Sequence, residues 1–230
     1  MRKQLKIVIV IIGICYGNSF LAQEDSDLAS WNAVGIKYKL NKKITFDLEQ
    51  HLRLKEDFSL VDEYFTQFET GYKFANNFEF VGGLRFIREN DTEGNLQGYE
   101  NHFRYHADVK YEHKIKNLNI GYRLRYQNKN YLDEDDVARQ NFRFKTDFEY
   151  KIKKWPLDPS FSAEIFNRYR KDADTNGFSK YRLTFGTDYK IKNFGKIKLF
   201  YRVEKELNAD LPETLKIIGL KYTYTIKNKK

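Results

Sequence analysis

A chain of 230 residues is long enough for one domain with a real core, and 17 Tyr, 19 Phe and 2 Trp supply apolar material for it. Its mean hydropathy is nevertheless −0.73, and 41 Lys and Arg against 32 Asp and Glu leave a net charge of +9. Polarity of that degree excludes a helical membrane protein beyond the N-terminus, the aromatic content argues against a disordered chain, and one Cys excludes an intrachain disulfide scaffold.

Residues 1–22 read as an export signal. Arg2, Lys3 and Lys6 give a positive start, Leu5 to Tyr16 is a short apolar stretch, and Ser19-Phe20-Leu21-Ala22 offers a cut after Ala22. Ile14 stands where a lipoprotein signal needs a small residue, so Cys15 is expected to leave with the signal. The mature domain is then 23–230, with a charge of +6.

From Trp31 onward, apolar or aromatic residues alternate with charged or polar ones at period two, the signal of a half-buried strand. After an opening strand over 31–40, Ile44, Phe46, Leu48, Leu52 and Leu54 oppose Thr45, Asp47, Glu49, His51 and Arg53. Tyr64, Phe68 and Tyr72 oppose Gln67, Glu69 and Lys73, and a further strand covers 78–88. Phe103, Tyr105, Ala107 and Val109 then alternate with Glu100, His102, Arg104, His106, Asp108 and Lys110. Six more segments follow, carried by Leu118–Tyr126, Phe142–Tyr150, Phe161–Ile165, Tyr181–Tyr189, Ile197–Val203 and Ile218–Ile226. The sequence predicts eleven strands, mostly of ten to twelve residues. Soluble strands centre on ~5–6 residues, whereas a tilted strand needs ~9–11 to cross a bilayer. The predicted fold is all-β, an antiparallel transmembrane β-barrel of about 10–12 strands after an N-terminal signal peptide. Eleven strands would require the first and last to close in parallel, unless a twelfth lies near 24–30.

Connection lengths alternate. Short turns are expected at 41–43, 75–77, 112–117, 151–158 and 190–196, and long loops at 55–62, 89–98, 129–138, 171–178 and 207–214. The long loops hold 14 Asp or Glu and 3 Lys, the short turns 10 Lys and 2 acids, which gives the barrel two chemically distinct ends. With no helix to fill an apolar interior, the aromatic face is expected outside and the charged face inside. A soluble secreted β-protein would reverse the two faces.

Trp31-Asn32-Ala33-Val34-Gly35, Tyr38-Lys39-Leu40-Asn41-Lys42-Lys43 and Leu48-Glu49-Gln50-His51-Leu52-Arg53, with Tyr-Arg pairs such as Tyr122-Arg123 and Tyr201-Arg202, carry a resemblance. Over 30–226 the chain resembles a family of uncharacterised, domain-of-unknown-function outer-membrane β-barrels of Gram-negative bacteria. The resemblance implies a barrel in the cell outer membrane in contact with its lipids; it implies no activity and no site residues.

Candidate chemistry is confined to the inner face. A symmetrical turn over 112–117 would set Arg104 opposite Arg125 and His106 opposite Arg123, a basic ribbon that could hold an anion or solute. The competing expectation is pairing with Asp47, Glu49, Glu69 or Glu164. Glu100, His102 and Asp108 form a polar cluster beside it, but His102 and His106 lie two strand repeats apart, about 13 Å, too far to share a metal. A lipid-modifying enzyme would need a serine beside a histidine. Ser26, Ser30, Ser59, Ser160, Ser162 and Ser179 all lack a His two residues away, and His113 is expected in a turn. Asp172-Ala173-Asp174-Thr175-Asn176-Gly177 begins like a calcium loop, but Leu183 stands where the bidentate Glu is needed, so it reads as a hairpin loop. Asp133 to Asp136 reads as a solvated tip. The basic residues form no continuous patch for nucleic acid, and neither a cofactor nor a metal is called for. The expected role is a non-enzymatic outer-membrane barrel, structural, interacting or a narrow solute pathway, with a charged and largely closed lumen.

Overall fold

The computed structural model of the protein describes residues 26–92, 97–132, 138–169, 176–192, 194–209 and 211–228. The signal segment, the acidic tip at 133–136 and the Asp172–Thr175 stretch lie outside them. Eleven strands follow one another with no helix among the described residues: β1 (Ser26–Lys39), β2 (Ile44–Lys55), β3 (Leu60–Lys73), β4 (Phe78–Asp91), β5 (Gly98–Ile115), β6 (Leu118–Tyr131), β7 (Arg139–Tyr150), β8 (Leu157–Tyr169), β9 (Gly177–Ile191), β10 (Gly195–Glu206) and β11 (Thr214–Lys227). Each pairs antiparallel with its sequence neighbours, and β1 closes the barrel on β11 in parallel, from Ser26 opposite Thr214 to Lys39 opposite Lys227. An odd number of up-and-down strands leaves the first and last pointing the same way, so parallel closure is forced. It also removes both free edges, and every strand backbone finds a ladder partner.

The strands are longer than the sequence predicts, running from 12 to 18 residues. The alternation stops where the apolar residues stop, but the hydrogen-bonded ladder continues into polar sequence. The connections shrink accordingly. The 55–62 loop is reduced to residues 56–59, no longer than the 40–43 turn, and the turn after β5 contains only Lys116 and Asn117. Lys116 has φ 54°, which reverses the chain within two residues, and His113 is a strand residue opposite Ile120.

Side-chain parity divides the sheet as the period-two pattern implies. Glu49, Arg85, His102, His106, Asp108, Arg125, Arg143, Glu164 and Glu204 are all buried. Val34, Leu48, Phe86, Phe142, Phe185, Leu199 and Leu220 are exposed. Outward aromatic rings form rows across neighbouring strands. One runs Phe74, Phe78, Tyr111, Tyr122, Phe144 near the turn end; Phe86–Phe103 and Tyr64–Tyr99 lie toward the other end.

Candidate functional site

The barrel interior is assembled by strand parity, because alternate residues of each strand point into it, with β-bulges at Asp62 and Ser179 shifting the pairing near the loop end. Its two ends differ in charge. The cavity at the loop end, about 790 Å³, is lined by seven acids, among them Asp27, Asp62, Glu89 and Glu100, against Lys55 and Arg139. At the turn end a cavity of about 1090 Å³ has eight lysines, including Lys37, Lys39 and Lys227, against four acids. Between them lies a central cavity of about 570 Å³ lined by sixteen Lys or Arg and only five Asp or Glu.

The predicted basic ribbon is not formed. The two-residue turn moves the register of β5 on β6 by four residues. Arg104 therefore faces Lys129, His106 faces Gln127, Asp108 faces Arg125 and Lys110 faces Arg123. Asp108 accepts two hydrogen bonds from Arg125, Nε at 2.6 Å and Nη2 at 2.7 Å, and the pair is fully buried. Arg125 also reaches Glu69 at 3.4 Å. Glu69 in turn meets His106 Nε2 at 2.9 Å and accepts from Gln67 at 2.9 Å. Arg123, the fourth member of the predicted site, binds Glu164, which Arg143 also engages at 2.9 Å. Three of the four predicted residues are thus taken by carboxylates, two of which, Glu69 and Glu164, the sequence names as the competing partners. An arginine with a carboxylate opposite it makes the strongest interior hydrogen bonds available, so the bidentate pairs dominate.

The polar cluster of Glu100, His102 and Asp108 is also divided. His102 Nε2 lies 3.2 Å from Glu89 and 3.4 Å from Glu100, with its ring edge-on to Tyr131, whereas Asp108 belongs to Arg125. His106 packs across the strand at Gly83, where a Cβ would come within 2.2 Å of its ring. The glycine is what lets the imidazole reach Glu69. Among the described residues no group of three His, Cys, Asp or Glu side chains is placed to hold a metal.

A second layer, which the sequence reading passes over, surrounds the central cavity. Trp31, Phe65, Phe166 and Phe200 are apolar residues at inward parity, and guanidinium groups lie over their rings. Arg53 is 3.6 Å from the Trp31 centroid, Arg85 3.7 Å from Phe65, Arg143 4.2 Å from Phe166 and Arg202 4.8 Å from Phe200. Arg182 lies 5.1 Å from Trp31 and 4.8 Å from Phe166, which links the rings into one layer. A cation–π contact places each guanidinium carbon over a ring while its N–H groups remain able to hydrogen-bond, as those of Arg53, Arg143 and Arg182 do with carboxylates. Part of the signal was present in the sequence: Phe65, Phe166 and Phe200 each break the polar run of the inner face, Phe65 between Glu63 and Gln67, whereas Trp31 stands between Ala29 and Ala33.

Residues 28–210 match the family described as "Protein of unknown function (DUF2490)". The chain belongs to that family. No curated protein matches it.

Proposed function

We propose that the protein is a non-enzymatic β-barrel of the outer membrane, exported by residues 1–22, whose charged and largely closed lumen serves a structural or interaction role or a narrow solute pathway. The observation that carries this reading is the inversion of the sheet. Phe86 is 60% and Val34 58% exposed, while Asp108 and His102 are 0% and 1% exposed. Monomeric soluble proteins rarely expose contiguous apolar surface beyond a few hundred Å², and here it girdles the whole barrel. Lipid covers such a surface, and closure satisfies the backbone within it. Outward aromatic rows near both ends fit the interfacial girdles of outer-membrane barrels. The acid-lined loop end suits a surface rich in divalent cations, and the lysine-lined turn end suits anionic headgroups.

The charged interior supports the closed-lumen part. Arg125, Arg143 and Arg182 reach carboxylates on neighbouring strands, which narrows the centre of the barrel. Each described histidine on the inner face stands beside a carboxylate, His51 with Glu49, His102 with Glu89 and His106 with Glu69. That arrangement leads us to give them a structural role.

Fractionation of expressing cells tests the proposal. The protein is expected in the outer membrane, starting near Gln23 by mass spectrometry and migrating differently on gels before and after boiling. Recovery as a detergent-independent monomer in the soluble fraction would refute it and favour the soluble secreted alternative.

A further inference from the structure

We infer that the central cavity is a binding site for a small oxyanion with two or more negative charges, held by Arg85, Arg104 and Arg202. The inference rests on the closed barrel interior and holds wherever the barrel resides.

In the layer around the cavity, Glu63 pairs with Arg53, Glu164 with Arg123, Arg143 and Arg182, and Glu204 with Arg182 and Lys180. Arg85, Arg104 and Arg202 make no ion pair with a carboxylate among the described residues. Arg85 donates to the neutral Gln67 amide and Arg202 to the Thr184 hydroxyl at 2.9 Å. Arg104 Nε is buried without a hydrogen-bond partner.

Their placement makes the imbalance sharper. Arg85 and Arg104 are directly opposed on β4 and β5, and Lys129 flanks Arg104 on the other side. Like charges directly opposite one another destabilise a sheet. Arg202 joins them through shared rings: Arg85 and Arg53 both stack on Phe65, and Arg53 and Arg202 both stack on Trp31. Three guanidinium groups therefore share one enclosed layer without a direct ion pair among the described residues, and the carboxylates that act on them, Glu63 on Arg85 and Arg104 and Glu164 and Glu204 on Arg202, are already engaged by other cations. A buried ion without a direct partner is destabilising, and an anion shared among the three relieves it.

Size and access select the ligand. A cavity of about 570 Å³ falls in the range of small-molecule sites, and the guanidinium fork matches the paired oxygens of phosphate or carboxylate. The acids at the loop end repel an anion and the lysines at the turn end attract it, so entry is from the turn end. Pyrophosphate and citrate are the two probes of this chemistry.

Trp31 is a built-in reporter. It lies under Arg53 and Arg202, and the other tryptophan, Trp155, is exposed at a turn. In folded barrel carrying Trp155→Phe, in detergent at fixed ionic strength, pyrophosphate or citrate should change Trp31 fluorescence saturably. The tighter of the two names the oxyanion class. Arg104→Gln and Arg202→Gln should each weaken binding at least about tenfold, as expected for loss of a charge-assisted hydrogen bond. Lys153→Gln, in an exposed turn, should leave it unchanged. The wild-type thermal midpoint should also rise with the same ligand, because a ligand of the native state stabilises it. If Arg104→Gln does not fold, Arg202→Gln and the thermal shift decide. No saturable response to either probe, or full affinity in both arginine variants, would overturn the site. A barrel found in the soluble fraction would defeat the proposed location and leave this result standing.

Discussion

Asp108→Asn isolates the strongest interior contact. Asp108 is completely buried and accepts two hydrogen bonds, at 2.6 and 2.7 Å, from an Arg125 that is only 5% exposed. Removing one partner of such a pair costs ~3–5 kcal/mol, because the other charge is left buried. Glu69 stands 3.4 Å from Arg125 and can take part of the load, so we place this variant near the lower limit, about 3 kcal/mol. That is roughly a hundredfold in the folding equilibrium. Arg125→Met strands Asp108, whose only ion pair among the described residues is with Arg125, and should reach the upper limit, about 5 kcal/mol. Asp108→Leu with Arg125→Met should cost less than either single change, since Glu69 keeps His106 and Gln67. Equilibrium unfolding by urea in lipid vesicles, followed by fluorescence, gives all three values. Single-variant costs below about 1 kcal/mol, typical of solvated surface pairs, would show that the interior is wet and unconstrained and would refute the reasoning.

Three further outcomes follow from the same geometry. Phe144→Arg or Tyr122→Arg should cost ~2–4 kcal/mol in bilayer folding, far more than Lys145→Gln on the inner face; the reverse ranking would turn the barrel inside out. A Cβ at Gly219 would stand 1.9 Å from the Phe200 ring, so Gly219→Ala should destabilise by ~1–3 kcal/mol by overpacking, and much less when combined with Phe200→Ala. In planar bilayers the wild type should give no steady porin-like conductance, whereas Arg104→Ala with Arg125→Ala should open current if those side chains obstruct the lumen; a conducting wild type would contradict the closed interior.

The faces of the sheet were legible in the sequence and the partners were not. Period-two alternation assigned Asp108, Arg125 and Glu164 to the inner face and Phe142 and Leu199 to the outer one, as the burial shows. The register of β5 on β6 was missed because Glu112 to Ile115 lacks the apolar alternation of the rest, so the strand looked finished four residues early. An even register error leaves each side chain on its face while exchanging every cross-strand partner. It therefore turned the Asp108–Arg125 ion pair into an imagined arginine ribbon. Parallel closure was one of two options open at sequence level, and the odd strand count decides it. The arginine–aromatic layer is not legible as an assembly because Trp31, Phe65, Arg85 and Arg202 come from four different strands, and no local pattern records which strands face one another across a barrel.

In the proposed membrane barrel the aromatic face meets lipid and the charged face does not. Quenching of tryptophan fluorescence by brominated lipids tests it directly, in vesicles containing the folded barrel. With Trp155→Phe, the inward Trp31 should be shielded; with Trp31→Phe and Trp155→Phe, a tryptophan introduced by Phe144→Trp on the outer face should be strongly quenched. Strong quenching of Trp31 together with protection of the tryptophan at 144 would contradict the account.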